Sequence, residues 1–71
     1  MNRINPNKLL LSKWTAVTPQ NRERHFLVRH LLRDDADRIT GVELEAVINH
    51  RVYMLDWCEL KDSSCWRAGW Q

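Results

Sequence analysis

The chain has 71 residues, which places it near the lower size limit for a domain that folds on its own. Its composition, 44% hydrophobic and 28% charged, is typical of a globular protein and excludes an intrinsically disordered chain. No apolar run is long enough for a membrane span or an export signal, so we expect a single cytoplasmic domain over residues 1–71 with reduced cysteines.

The net charge of +2 is unevenly distributed along the chain. Residues 1–33 carry seven Lys or Arg and one Glu, a net charge of +6, whereas residues 34–71 carry four Lys or Arg and eight Asp or Glu, a net charge of −4. This asymmetry predicts either ion pairs between the two halves or a basic face presented to an anionic partner. Because so small a domain brings its halves into contact, internal pairing is favoured.

The N-terminal third predicts a short helix, a strand and a turn. Asn5 suits a helix N-cap, and Pro6 suits the first helical position because its missing N–H would be unpaired there in any case. Residues 12–19 have extended character and end at Pro19, so we expect a fourth strand or an arm here. A turn over residues 20–24 would lead into the next strand.

Two central strands are predicted from alternating apolar residues. The residues expected to share one face are Phe26, Val28, His30 and Leu32 in the first strand, and Val42, Leu44, Ala46 and Ile48 in the second. Antiparallel pairing sets Phe26 opposite Ile48 and Arg29 opposite Glu45, with an Asp-rich turn over residues 34–41 between the strands. In this register His30 is a core histidine.

The β-branched and aromatic residues at 51–57 predict a further strand. Asn49-His50 would join it to the preceding strand as a two-residue loop. That loop sets Leu44 opposite Leu55 and brings Trp57 onto the core face. The weaker turn chemistry of Asn-His, compared with Asn-Gly, leaves a slip of the register open.

The C-terminal residues predict a helix of one or two turns. Residues 62–64, Asp-Ser-Ser, supply an N-cap, and Gly69 supplies a stop. Cys65 and Trp66 would lie on this helix, and Trp66 and Trp70 would hold the C-terminus against the rest of the domain.

The resulting fold class is α+β and β-dominated: a three- or four-stranded antiparallel meander with an N-terminal arm and a short C-terminal helix or turn. The face opposite the core also carries apolar side chains, and we expect the N-terminal segment to cover it. These side chains are Leu27, Leu31, Val47, Val52 and Met54.

Four tryptophans are many for a chain of this length, and they predict packing anchors for a small core. Trp57 is expected in the core opposite Val42. Trp14 lies among basic residues, so its role as an anchor or as a binding side chain stays open.

Four blocks of residues carry a resemblance to a known family: Asn5–Pro19, His25-Phe26, Leu55–Asp62 and Trp66–Trp70. With their spaced Lys-Trp-Thr-Ala-Val and Leu-Asp-Trp segments, they resemble a small tryptophan-rich family of bacterial proteins of unknown function. The resemblance spans nearly the whole chain and implies a bacterial, cytoplasmic, stand-alone domain. It implies no mechanism.

No motif in the chain predicts metal binding or catalysis. His25 and His30 would lie on opposite faces of a strand, and the spacing of Cys58 and Cys65 exceeds that of common zinc sites. The chain has the cysteines and histidines that a catalytic Cys–His pair needs, but no local sequence signature supports such a pair. We therefore expect a non-enzymatic protein without metal or cofactor.

Two kinds of partner remain as hypotheses. Unpaired strand edges and a partly covered apolar face favour a protein–protein interaction module, most simply one that self-associates. The alternative is single-stranded nucleic acid, held by cations and a stacking ring on a basic and aromatic face. The residues assigned to this surface are Lys8, Lys13, Trp14, Arg22, Arg24, Arg29 and Arg33.

Overall fold

The chain folds as one antiparallel sheet of five strands in a computed structural model that describes residues 1–71. The strands are Lys13–Gln20 (β1), Glu23–Arg33 (β2), Ile39–Ala46 (β3), Val52–Asp56 (β4) and Trp66–Ala68 (β5). They stand in the order β4-β3-β2-β1-β5, so a four-stranded meander is completed by a last strand that returns to the opposite edge. The β-dominated antiparallel class is confirmed, with one strand more than expected and only 3₁₀ turns as helical structure.

Of the predicted C-terminal helix or turn, the turn is present at residues 63–65, whereas the helix is wrong because Trp66–Ala68 forms β5. Asp62 accepts hydrogen bonds at Oδ1 from the Ser64 N–H and hydroxyl, which closes a tight turn instead of capping a helix. Trp66 then pairs with Ala16 on β1. The four-stranded meander leaves that edge of β1 without a partner, and β5 supplies the missing ladder hydrogen bonds.

The N-terminal segment is correctly expected to start a short helix at Asn5-Pro6. Pro6–Lys8 is a 3₁₀ helix, and the Asn5 side chain accepts a hydrogen bond from the Asn7 N–H. The chain then buries Leu9 and enters β1, which confirms the extended prediction for residues 12–19.

A second 3₁₀ helix, Trp57–Lys61, follows β4 directly. Asp56 caps it by accepting a hydrogen bond from the Cys58 N–H. The helix places Leu60 at 0% exposure against the sheet. Asn2 ties the N-terminal arm to this helix, since its side-chain amide donates to the carbonyl oxygens of Leu60 and Trp66.

A β-bulge between Val28 and His30 changes the expected faces of β2. Phe26 lies opposite Ala46, and after the bulge Leu31 lies opposite Val42. The prediction of His30 as a core histidine is therefore wrong: the bulge turns it to the other face, where it is exposed.

The hairpin from β3 to β4 has a longer loop than the predicted two residues. The Ala46 N–H donates to the Arg51 carbonyl oxygen, and His50 adopts a positive φ of 62° within the loop. Leu44 therefore pairs with Tyr53 instead of Leu55. A slip of two residues keeps every side chain on its expected face.

The core lies on one face of the sheet, called here the core face. Its buried hydrophobic residues are Leu9, Trp14, Phe26, Val28, Val42, Leu44, Ala46 and Leu60. The N-terminal arm and the second 3₁₀ helix pack on this face, so the expectation that the arm covers the opposite face is wrong. No helix is long and apolar enough to cross a membrane.

Candidate functional site

The side of the sheet opposite the core, called here the open face, carries the side chains that alternate with the core residues. Along the strands these include Lys13, Leu27, Glu43, Glu45, Val52, Met54 and Arg67. Only the C-terminal tail folds over part of this face. Its charges are sorted across the strands, with cations towards β5 and acids towards β4.

The cationic half of the open face lies on β1, β2 and β5. Arg24 and Arg67 line a depression of about 270 Å³, together with Thr15 and Gln71. Lys13 lies on the same half of the sheet. No carboxylate lies within 4.0 Å of any of these three cations.

Trp70 lies on the cationic half and is 44% exposed. Its indole N–H donates to the Phe26 carbonyl oxygen at 2.9 Å, which fixes the ring against β2. The Lys13 Nζ atom lies 4.7 Å from the ring centroid, a cation–π contact. Gly69, with φ of +81°, provides the turn that returns Trp70 to the sheet.

The acidic half of the open face lies on β3 and β4. Glu45 forms an ion pair with Arg29 at 3.0 Å and accepts a hydrogen bond from His50 Nδ1 at 2.7 Å. The His50 bond, more than the charge of Arg29, holds the pKa of Glu45 below its usual value. Glu43 has no cation within 4.0 Å, and Asp56 lies at the end of β4.

Apolar side chains, called here the apolar band, lie among these charges, with Leu27 on the central strand β2 and with Val52 and Met54 on the edge strand β4. Met54 is 72% exposed and Val52 is 42% exposed, while Leu27 is half-buried. Val47 extends the band beyond β3, where its N–H donates to the His25 carbonyl oxygen. Exposed apolar side chains that lie together on one face are typical of an interaction surface.

The structure separates the residues that the sequence assigned to one basic surface. Lys8 lies on the N-terminal 3₁₀ helix, Arg22 on the β1–β2 turn, and Arg33 near the β2–β3 turn, where it pairs with Asp37. Lys13, Arg24 and Arg29 face or border the open face.

Trp14 cannot serve as a stacking side chain, because it is only 4% exposed. Its indole N–H donates to the Ser12 hydroxyl within the packed arm. Trp14 is thus a packing anchor, and the structure removes it from the predicted surface. The exposed tryptophan of the cationic half is Trp70, which sequence reasoning assigned to anchoring alone.

Arg67 is also absent from the surface predicted from the sequence, because the segment around it was predicted to be a helix or turn. Its position depends on the pairing of β5 with β1, which sets Arg67 opposite Thr15. The one usable signal was the alternation of Trp66, Ala68 and Trp70 around it.

Internal ion pairing accounts for few of the charges. The contacts within 4.0 Å join Arg29 to Glu45 and, around the β2–β3 turn, Arg33 to Asp37 and Arg38 to Asp34. Only the first links residues far apart in the sequence. The predicted pairing between the basic and acidic halves is therefore present only in part.

The core face carries a groove of about 300 Å³ at the end of the sheet that neither the arm nor the second 3₁₀ helix covers. Glu23 lies in this groove at 4% exposure. It accepts hydrogen bonds from the Tyr53 hydroxyl at 2.6 Å and from the Asn49 amide at 2.8 Å. These two bonds lower the pKa of Glu23 and keep it charged at neutral pH.

The cysteines and histidines form no metal-binding cluster. Cys58 and Cys65 are both free and exposed, and no group of three or more Cys, His, Asp or Glu side chains is arranged to hold a metal ion. The nearest carboxylate partner of Cys65 is Asp62, at 3.5 Å.

Comparison with known proteins supports the family resemblance noted in the sequence. Neither a curated protein nor a solved structure matches the chain. The family described as "Tryptophan-rich protein (DUF2389)", whose function is unknown, matches residues 12–71. This match covers all five strands, including β5 and the exposed Trp70. The chain therefore belongs to this tryptophan-rich family.

Proposed function

We propose that the domain is a non-enzymatic interaction module that self-associates through its open face. The observation that carries the proposal is the sorting of charge on this face. Lys13, Arg24 and Arg67 lie on one half without carboxylate partners, and Glu43 lies on the other half without a cation. A surface with this division of charge is complementary to a copy of itself.

A two-fold axis parallel to the strands produces the required arrangement. Rotation about this axis brings the β5 half of one copy over the β4 half of the other, so cations meet acids on both sides of the axis. An axis perpendicular to the strands, in the same interface plane, would set like charges together. The charge pattern thus favours a dimer whose two-fold axis runs parallel to the strands of both copies.

Apolar side chains of the open face contribute non-polar area to such an interface. Leu27 lies on the central strand β2 near the axis, and Val52 and Met54 on β4 would lie against β5 of the partner copy. The molecule measures 36 by 26 Å in its two longer dimensions, which gives one face an area on the scale of the ~800 Å² per partner of a standard interface.

A cytoplasmic location is part of the proposal. Two free, exposed cysteines are compatible with a reducing compartment, where they stay as thiols. The non-enzymatic assignment is supported by the absence of a histidine hydrogen-bonded to either cysteine.

A concentration series in the analytical ultracentrifuge tests the proposal. We expect the wild-type chain to form dimers as its concentration rises towards millimolar, and we expect high salt to weaken the dimer because its rim is charged. Met54→Lys places a cation on the acidic half, opposite the cations of the partner copy, and should keep the chain monomeric. Leu10→Lys, at an exposed apolar residue near the N-terminal arm, is the matched control and should leave association unchanged.

Two results would contradict the proposal. One is a wild-type chain that stays monomeric at millimolar concentration and low salt. The other is a dimer that Met54→Lys and Leu10→Lys weaken equally, since this would place the contact away from the open face.

Single-stranded nucleic acid is a second candidate, favoured by the exposed Trp70 beside unpaired cations. Its ring could stack on a base while Arg24 and Arg67 contact phosphates. Binding of a short oligonucleotide should then quench tryptophan fluorescence and weaken steeply with salt. Trp70→Leu should abolish the quenching. Unchanged fluorescence and no binding at low salt would exclude this candidate and leave the self-association proposal intact.

A further inference from the structure

The groove on the core face is separate from the open face and has a different chemistry. It lies between β1 and β5 on one side and β4 on the other, with Phe26 and Leu44 at its floor. Its volume of about 300 Å³ is at the lower end of the range for small-molecule sites. Most of its lining is apolar, and its one carboxylate belongs to Glu23.

Glu23 is a buried carboxylate that no cation contacts directly. It is 4% exposed, and no Lys, Arg or His nitrogen lies within 4.0 Å of it, although the charge of Arg51 acts from farther away and helps to lower its pKa. Its two hydrogen bonds come from neutral donors, the Tyr53 hydroxyl and the Asn49 amide. Each carboxylate oxygen can accept a further bond, and a buried anion gains most from a cation placed beside it.

Three aromatic rings lie beside this carboxylate. Phe26 makes edge-to-face contacts with Trp66, at a centroid distance of 5.2 Å, and with Tyr53, at 6.2 Å. All three residues line the groove. Aromatic rings attract cations through their electron-rich faces, and their hydrocarbon surface also favours alkyl groups.

We propose that this groove binds a small alkylammonium ion, with the charged nitrogen near Glu23 and its alkyl groups against Phe26, Tyr53 and Trp66. A carboxylate and an aromatic cluster together complement a cation that carries apolar substituents. An anion would be repelled by Glu23, and a purely apolar ligand would leave the carboxylate without a cation in contact with it. A divalent metal ion would lack a second carboxylate ligand, since Glu23 is the only carboxylate in the groove.

We assign the site to a free ion, because the groove has a small volume of about 300 Å³. A methylated lysine side chain carries the same chemistry, so the experiment includes it as a separate arm. The proposal does not depend on self-association, since the two sites lie on opposite faces of the sheet.

Choline serves as the probe, and 3,3-dimethylbutan-1-ol, which has the same shape without the charge, serves as its neutral counterpart. Amide chemical shifts of the full chain are followed by NMR during titration with each compound. We expect choline to shift the amides of groove residues and to bind about tenfold more tightly than the neutral alcohol. A peptide with one trimethyllysine should bind no more tightly than choline.

Two variants locate the site. Glu23→Gln removes the charge but keeps acceptor and donor groups, and it should reduce choline binding to the level of the neutral alcohol. Ala16→Leu fills the groove from β1 and leaves Glu23 in place, so it should abolish binding of both compounds. Glu43→Gln, on the open face, is the matched control and should bind choline as the wild type does.

The proposal is overturned if choline and the neutral alcohol bind equally, or if choline shifts only residues of the open face. It is also overturned if Ala16→Leu, folded as judged by its amide spectrum, still binds choline. Ala16→Leu keeps this test available even if Glu23→Gln fails to fold. If the trimethyllysine peptide binds more tightly than choline, the ligand is a methylated lysine side chain and not a free ion.

Discussion

The Tyr53 hydroxyl donates a 2.6 Å hydrogen bond to Oε1 of Glu23 and so connects β4 to β2 across the core face. The strand between them, β3, contributes Leu44 beneath the contact. Since the chain has one tyrosine, this bond can be followed by the absorbance of a single phenol. Hydrogen bonding to Glu23 raises the pKa of Tyr53 above 10.0.

Removing the carboxylate charge of Glu23 should lower the pKa of Tyr53. In Glu23→Gln the phenol no longer donates to an anion, so we expect its pKa to fall towards 10.0. Spectrophotometric titration of tyrosinate measures this directly. Glu45→Gln, which removes a carboxylate of the open face, is the control. An unchanged tyrosine titration in Glu23→Gln would contradict the assigned hydrogen bond.

Acid should destabilise the fold through the same carboxylate. The pKa of Glu23 is lowered in the folded state by Tyr53 and Asn49, so its contribution to the free energy of unfolding is present above the unfolded value, about 4.3. That contribution is lost as the pH falls through the lowered folded value. Tyr53→Phe should therefore be less stable than wild type at neutral pH, and the two should converge in acid. Thermal melts across this pH range provide the measurement.

The two faces of the sheet should respond differently to truncation of a large side chain. Leu60, on the second 3₁₀ helix, is 0% exposed, so Leu60→Ala should lower the free energy of unfolding by about 2–5 kcal/mol. Met54 is 72% exposed, and Met54→Ala should change the stability of the monomer by less than about 0.5 kcal/mol. Denaturant titration at low protein concentration compares them. Similar losses in both would mean that the open face is covered.

The β1–β2 turn offers a route to a more stable chain. Asn21 and Arg22 both have positive φ, at 54° and 63°, as in the two-residue type I′ turn between Gln20 and Glu23. Arginine is strained in this region, so Arg22→Gly should raise the free energy of unfolding by about 1 kcal/mol. Gln20→Gly, in the adjoining strand, should lower it. A destabilised Arg22→Gly would contradict the turn assignment.

Gly41 allows β3 and β4 to approach each other closely. A methyl group at this position would lie 2.6 Å from the Leu55 carbonyl oxygen, a backbone atom that cannot move aside easily. Gly41→Ala should therefore lower the free energy of unfolding by about 1–3 kcal/mol. Thr40→Ala, one residue earlier on the exposed side, is the control. Chemical denaturation that shows equal stability for both variants would contradict the close approach.

Strands with regular alternation were predictable from the sequence, whereas features set by distant pairing were not. The alternation at Val42, Leu44 and Ala46 correctly predicts the core face of β3, because a half-buried strand requires period two. The bulge at residues 28–30 interrupts this period without a glycine to mark it. It moved His30 to the open face and Leu31 to the core face.

The C-terminal segment shows why local signals misled. Asp62 and Ser64 suit a helix cap and a tight turn equally well, and the outcome depended on the unpaired edge of β1. The cationic half of the open face could not be predicted for the same reason, since Arg67 and Trp70 reach it only through β5. The Glu23 groove was equally invisible, because its partners Asn49 and Tyr53 lie more than twenty residues away.

Mixing two charge-reversed variants tests the central claim most directly. Arg67→Glu makes the basic half of the open face acidic, and Glu43→Lys makes the acidic half basic. Because each places like charges opposite each other in its own dimer, both variants should be monomeric alone. Mixed in equal amounts at low salt, they should form a heterodimer that sedimentation detects, because one contact keeps the wild-type charges and the other has both charges reversed. Dimers of either variant alone as stable as those of the wild type would contradict association through the sorted charges of the open face.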